Sequence, residues 1–214
     1  MTLAKICGLN DAAGLDAAVA GGAEMIGFVF FPPSPRAVTA EVAAALSARA
    51  PSDGGPLRVG LFVDATDEAI AAVLDALPLD ILQLHGEETP ARCAELRARF
   101  GRPVMKALGI ASEADLGLLE SYAPAVDRFL LDAKPPPGAT IPGGNAAVFD
   151  WSLLAGRTIP RPWLLAGGLT PENVADAVRG TGAPGVDVSS GVERARGVKD
   201  PARIAAFLHA AHGG

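Results

Sequence analysis

Short runs of apolar residues alternate along this chain with stretches whose apolar residues fall three and four positions apart. The runs predict strands over 3–7, 25–31, 57–63, 80–84, 104–108, 127–132, 162–166 and 185–188. They are almost continuously apolar, as parallel strands covered on both faces must be. Between them the wider spacing predicts helices. Asn10 caps a first, with Leu15, Ala18 and Val19 on one face. Thr39 caps a second running to Ala50, with Glu41 in the first turn where the helix dipole favours a negative charge. Thr66 opens a third whose inner stripe is Ile70, Val73, Leu74 and Leu77; a fourth starts at Glu88 or Thr89 and turns Cys93, Leu96 and Phe100 inward. Ser112 caps a fifth bearing Leu116, Leu119 and Tyr122, and Phe149-Asp150-Trp151 opens a short sixth. Pro171 and Pro201 begin the seventh and eighth, the last reaching about His209; proline is well tolerated in a first helical turn.

Eight alternations of strand and helix without a linker or low-complexity tract predict an α/β protein, a single (β/α)8 TIM barrel over residues 1–214, read as one catalytic domain. A doubly wound sheet would alternate too, but it seldom needs eight strands and its glycine fingerprint after the first strand is missing. Composition narrows the partners. The net charge of −6 and scattered basic residues argue against nucleic acid and anionic membrane, so an anionic ligand must be held locally by donors in a pocket. Two cysteines are too few for a disulfide framework, no apolar run is long enough to span a bilayer, and the first residues lack signal-peptide order. A reduced, cytoplasmic protein is expected, as monomer or homodimer.

Barrel active sites lie at the C-terminal ends of the strands. That rule selects Cys7, Arg36, Asp64, His85, Lys106, Asp132, Gly167, Gly168, Asp187, Ser189 and Ser190. Gly167-Gly168 and Ser189-Ser190-Gly191 follow the last two strands and together suggest a phosphate cup, glycine allowing close backbone approach and serine adding donors. Strand alternation pairs Lys5 with Cys7, Gln83 with His85 and Leu130 with Asp132 on common faces. An inward thiol and an inward carboxyl at one mouth make acid–base chemistry available. The segment 133–148, rich in proline and glycine, is long for a barrel connection and reads as a functional loop.

Several segments, taken in order, carry a resemblance. Lys5-Ile6-Cys7-Gly8-Leu9, Gly27-Phe28-Val29-Phe30 with Ser34-Pro35-Arg36, Gln83-Leu84-His85-Gly86-Glu87, Leu130-Leu131-Asp132, Phe149-Asp150-Trp151, Ala166-Gly167-Gly168-Leu169 and Val186-Asp187-Val188-Ser189-Ser190-Gly191-Val192-Glu193 resemble the phosphoribosylanthranilate isomerases of tryptophan biosynthesis. One departure is Gly143-Gly144-Asn145, where the family pattern has Thr or Ser and a further Gly after the Gly pair. The resemblance implies an Amadori rearrangement of N-(5-phosphoribosyl)anthranilate, with Asp132 as general acid and Cys7 as general base. Arg36 suits the anthranilate carboxylate, because its planar fork makes two charge-assisted hydrogen bonds. Asp187 is a candidate either for the ribose hydroxyls or for orienting the cup, and Gly167, Gly168, Ser189 and Ser190 are those expected around the phosphate. No metal and no organic cofactor is implied, because the substrate nitrogen supplies the electron sink. A thiol base must ionise, which Lys5 would favour.

Plainer readings stand beside these. Cys7 could be a small buried hydrophobe, and Cys93 reads as core. His85 suits a structural or supporting role. Lys5 and Lys106, if inward, must be paired and could simply balance Asp132 and Asp187. Asp64 could be a cap, and His209 and His212 read as solvated. Rival functions are another phosphosugar enzyme on the same barrel, or a barrel that binds a phosphorylated ligand without turning it over.

Overall fold

The computed structural model of the chain describes residues 2–134, 138, 143–144 and 149–213. Eight parallel strands close into one barrel in sequence order. They are β1 (Leu3–Cys7), β2 (Met25–Val29), β3 (Leu57–Phe62), β4 (Ile81–Leu84), β5 (Val104–Ile110), β6 (Arg128–Ala133), β7 (Trp163–Leu165) and β8 (Gly185–Val188). Closure is made by β8 pairing with β1, which sets Lys5 opposite Asp187. The outer layer consists of α1 (Ala12–Ala20), α2 (Ala40–Ser47), α3 (Asp67–Ala76), α4 (Pro90–Phe100), α5 (Glu113–Leu116), α6 (Leu119–Tyr122), α7 (Val174–Thr181) and α8 (Pro201–Gly213).

The alternation of side chains across each strand divides the core in two. Even-numbered residues of β4 and β5 such as Leu82 and Val104, with Phe129 of β6, face the helices and join their buried stripes. The opposite set turns into the barrel, where Met25, Val59, Ile81, Met105, Leu130 and Leu164 from six strands pack as an apolar plug. Each fully buried side chain of that size contributes roughly 1.5–3 kcal/mol from burial. Nearer the C-terminal ends the interior changes character: Lys5, Gln83, Asp132 and Asp187 are buried there beside Cys7, Val29 and Leu61. The plug closes one end of the barrel and leaves polar groups gathered at the other.

Several local details differ from the sequence expectation. Asp11 caps α1 by accepting the Gly14 amide at 2.7 Å, while Asn10 instead donates Nδ2 to the Gly197 carbonyl at 2.9 Å. The fifth helix is two short ones, α5 and α6, broken at Gly117-Leu118. The sixth is a 3-10 turn, Trp151–Leu154, capped by Asp150. Pro171 starts a turn that reaches helical form only at Val174, because Asn173 Oδ1 accepts the Thr170 amide and closes the turn first. The last helix extends to Gly213, so His212 is not a solvated tail residue; its Nε2 lies 3.3 Å from Glu24 Oε2. A short antiparallel hairpin, β9 (Glu193–Ala195) and β10 (Val198–Lys199), follows β8 and has no signature in the apolar pattern. Most of the 133–148 loop, including Asn145, lies outside the described residues.

Lys106 does not enter the barrel. Met105 and Ala107 take the inner face of β5, so Lys106 points outward, where its Nζ donates to Glu88 Oε2 at 2.8 Å and to the carbonyls of Gly86 and Leu84. It balances Glu88 rather than Asp132 or Asp187, because strand alternation sends it to the other side of the sheet.

Candidate active site

β1 and β8 build one wall of the mouth. Lys5 is fully buried and donates to Asp187 Oδ1 at 2.7 Å. Burial works against its charge, but Asp187 and Cys7 together outweigh it and hold the ammonium's pKa above the ordinary lysine value. Cys7 follows two residues on, on the same face. Gly27 lies opposite it in the sheet, and a Cβ there would come within 3.1 Å of Cys7 Sγ and 3.2 Å of Lys5 Nζ. The absent side chain gives thiol and ammonium room to meet. Burial pushes the Cys7 thiol pKa up, and Lys5 opposes that.

The opposite wall carries Asp132 near the end of β6. Its Oδ1 accepts the Ala133 amide at 2.8 Å, and its Oδ2 lies 3.5 Å from His85 Nε2. Gln83 Nε2 sits 3.2 Å from His85 Nδ1. With the amide as donor to Nδ1, the imidazole proton is held on Nε2, toward Asp132. His85 thus lies between Gln83 and Asp132 in the wall of the mouth. Asp64, with a φ of +46°, is a turn residue: its Oδ1 accepts the Glu87 amide at 2.8 Å.

Arg36 comes from the loop after β2 and is only 3 % exposed. Its planar fork is not wholly open, because Nε and Nη2 are held by the two carboxylate oxygens of Glu193 at 2.6 and 3.0 Å. Nη1 lies against Gly144, where a Cβ would come within 2.6 Å. Cys7, Arg36, His85, Asp132 and Asp187 all line one cavity. Val29, Phe31, Leu61 and Val63 form its apolar side. Sequence reasoning passed over those four; their inward parity at the ends of two strands was the available signal.

The cup is the adjoining space, lined by Gly167, Gly168, Ser189 and Ser190. Gly167 and Gly168 have φ of +85° and +66°, a left-handed turn in which a side chain is strained. At Gly167 a Cβ would also strike the Ala133 amide nitrogen at 2.7 Å. A 3-10 turn, Ser190–Val192, starts at the cup behind Ser189. Asp132 and Asp187 line both spaces, so the cup and the mouth are continuous. Of the strand-end candidates, only Lys106 and Asp64 fall outside both linings.

A closed barrel with its polar groups gathered at the C-terminal mouth places the protein among the (β/α)8-barrel enzymes. A family model described as "PRAI: N-(5'phosphoribosyl)anthranilate (PRA) isomerase" matches residues 4–210. The N-(5'-phosphoribosyl)anthranilate isomerase of Paracoccus denitrificans is 62% identical over 204 residues, covering 95% of this chain and 94% of its own. The crystal structure of the Thermotoga maritima enzyme aligns over 100% of both chains with a TM-score of 0.85 and 36% identity. A structure of such an isomerase in complex with reduced 1-(o-carboxyphenylamino)-1-deoxyribulose 5-phosphate aligns over 100% of both chains, with a TM-score of 0.81 and 35% identity. The chain belongs to the N-(5'-phosphoribosyl)anthranilate isomerase family.

Proposed function

We propose that this barrel, acting as one catalytic domain, converts N-(5-phosphoribosyl)anthranilate to 1-(2-carboxyphenylamino)-1-deoxyribulose 5-phosphate in tryptophan biosynthesis. The carrying observation is that a thiol and a carboxyl line one cavity, with a guanidinium at its edge and a glycine–serine cup adjoining it. The phosphate enters the cup, the anthranilate carboxylate meets Arg36, and the aromatic ring lies against Val29, Phe31, Leu61 and Val63. Asp187, already held by Lys5, faces the ribose between the two. The two free cysteines accord with a reducing, cytoplasmic setting.

Asp132 gives its proton to the ribose ring oxygen as the C1–O bond breaks, and the nitrogen lone pair forms the C1=N bond. The carboxylate left behind accepts a hydrogen bond from the Ala133 amide, and His85 Nε2 stands 3.5 Å from its other oxygen. Cys7, as thiolate, removes the C2 proton; those electrons form C1=C2, and the C1=N pair returns to nitrogen. Protonation at C1 with loss of the C2 hydroxyl proton yields the ketone. No electrons leave the substrate, so the rearrangement is balanced internally.

A fluorescence assay with phosphoribosylanthranilate generated in situ tests this. Wild type should quench the anthranilate–sugar emission far above the spontaneous rate, and Cys7→Ala and Asp132→Asn should each lower kcat by roughly 100-fold or more, the scale of a positioned acid or base. Wild type at the spontaneous rate would refute the reaction; near-normal turnover in either variant would refute that residue's role.

A further inference from the structure

Between Arg36 and the cup lies a buried cluster that the proposed reaction does not use. Glu193 accepts Arg36 on both oxygens, and it also accepts Lys199 Nζ at 3.1 Å and the Gly197 amide at 2.9 Å. Lys199 in turn donates to the Ser189 carbonyl at 2.9 Å and reaches Ser189 Oγ at 3.3 Å. Each of the three charged side chains is at most 4 % exposed. One carboxylate thus joins the guanidinium assigned to the ligand's carboxylate and, through Lys199, the serine assigned to its phosphate.

Two cations share one anion here, which leaves one positive charge unbalanced in a place with little water. An anionic group of the ligand supplies the missing charge. The hydrogen bonding also has a direction. Glu193 takes the Nε and Nη2 side of Arg36, turning the Nη1 side to the cavity edge at Gly144. Lys199 fills an acceptor position on the Ser189 hydroxyl, so the single hydroxyl proton is left to donate to an anion. Gly8 allows the two to approach: a Cβ there would stand 2.7 Å from Arg36 Cδ and 3.1 Å from Ser189 Oγ. The hairpin β9–β10 returns Lys199 beneath Glu193, and the Asn10 bond to Gly197 fastens that hairpin to the end of β1.

We propose that Glu193 is a positioning residue that, with Lys199, couples the carboxylate and phosphate subsites, so that occupying one tightens the other. This rests on the isomerase reading of the site, and the coupling is reciprocal because it is a free energy.

Calorimetry with two ligands tests it: the reduced product analogue, 1-(o-carboxyphenylamino)-1-deoxyribulose 5-phosphate in reduced form, and the same molecule without the ring carboxylate. The ratio of their affinities measures what the carboxylate contributes. Lys199→Met touches neither Arg36 nor the expected carboxylate position, yet it should shrink that ratio about tenfold, the scale of coupling between groups in one charged network. Glu193→Gln should shrink it as well, with Glu193→Asp restoring part of the ratio. Should Glu193→Gln fail to fold with two cations facing each other, Lys199→Met carries the test, since it removes the surplus charge. An unchanged ratio in a folded Lys199→Met protein would overturn the coupling while leaving the isomerase reading intact. Wild type that binds neither ligand would overturn both.

Discussion

Two of the buried lysine–carboxylate pairs invite comparison, each with a cysteine nearby, and only one of them lines the mouth that adjoins the cup. Lys5 and Asp187 meet at 2.7 Å inside the barrel, with Cys7 beside them. Lys106 and Glu88 meet at 2.8 Å outside it, with Cys93 packed against the same loop. Burial and pairing are alike, so neither property marks function. Completeness of hydrogen bonding differs. The three protons of Lys106 have Leu84 O, Gly86 O and Glu88 as acceptors, and Glu88 also takes the amides of Asp64 and Gly86. That pair is spent on holding the loop that carries His85. Asp187 and Cys7 line the mouth, where a ligand can use what Lys5 leaves over.

The comparison breaks most visibly at Lys106. Lys106→Met leaves Glu88 buried without its cation, and stability should fall by about 3–5 kcal/mol. A urea titration reads the loss, and kcat of the fraction that folds should stay within a few-fold of wild type. An equal collapse of kcat at full stability would mean that the outer pair is also part of the chemistry.

The next effect is on pH. Cys7 acts as base only when deprotonated, and burial raises its pKa, so the rising limb of kcat/KM against pH should lie above the ordinary thiol range. Below that limb the rate should fall about tenfold per pH unit, the slope of one ionisation. A limb near neutral pH would show that Lys5 outweighs burial at this thiol.

The smallest effect belongs to the second cysteine. Burial pushes the Cys93 thiol up to about 11 and keeps it inert. Cys93→Ala should cost about 1 kcal/mol by opening a small void, without altering kcat. Thermal melting beside the turnover assay checks both halves, and a loss of turnover would erase the contrast between the two thiols.

Much of this was legible beforehand, for identifiable reasons. Parallel strands buried on both faces leave continuous apolar runs, so the eight strands were found and only their ends moved. Gly167, Gly168, Ser189 and Ser190 announce a turn without side chains beside hydroxyl donors, and they do line one cup. Lys5 and Lys106 stood out because a lysine inside an apolar run must find a partner. Glu88 and Lys199 stood in polar company and gave no such signal. Their partners lie 18 and 6 residues away along the chain, on other elements, and no local spacing reports that.

The sequence by itself determined the order of elements, the barrel they form and the family's pattern of strand-end residues, because those are written in local periodicity and in short motifs. Only the tertiary structure decided on which side of the sheet each lysine falls, that Glu193 already holds half of Arg36, and that Cys7 rests under a burial penalty. Those outcomes depend on which surfaces meet when the barrel closes, and closure joins residues such as Lys5 and Asp187, 182 positions apart.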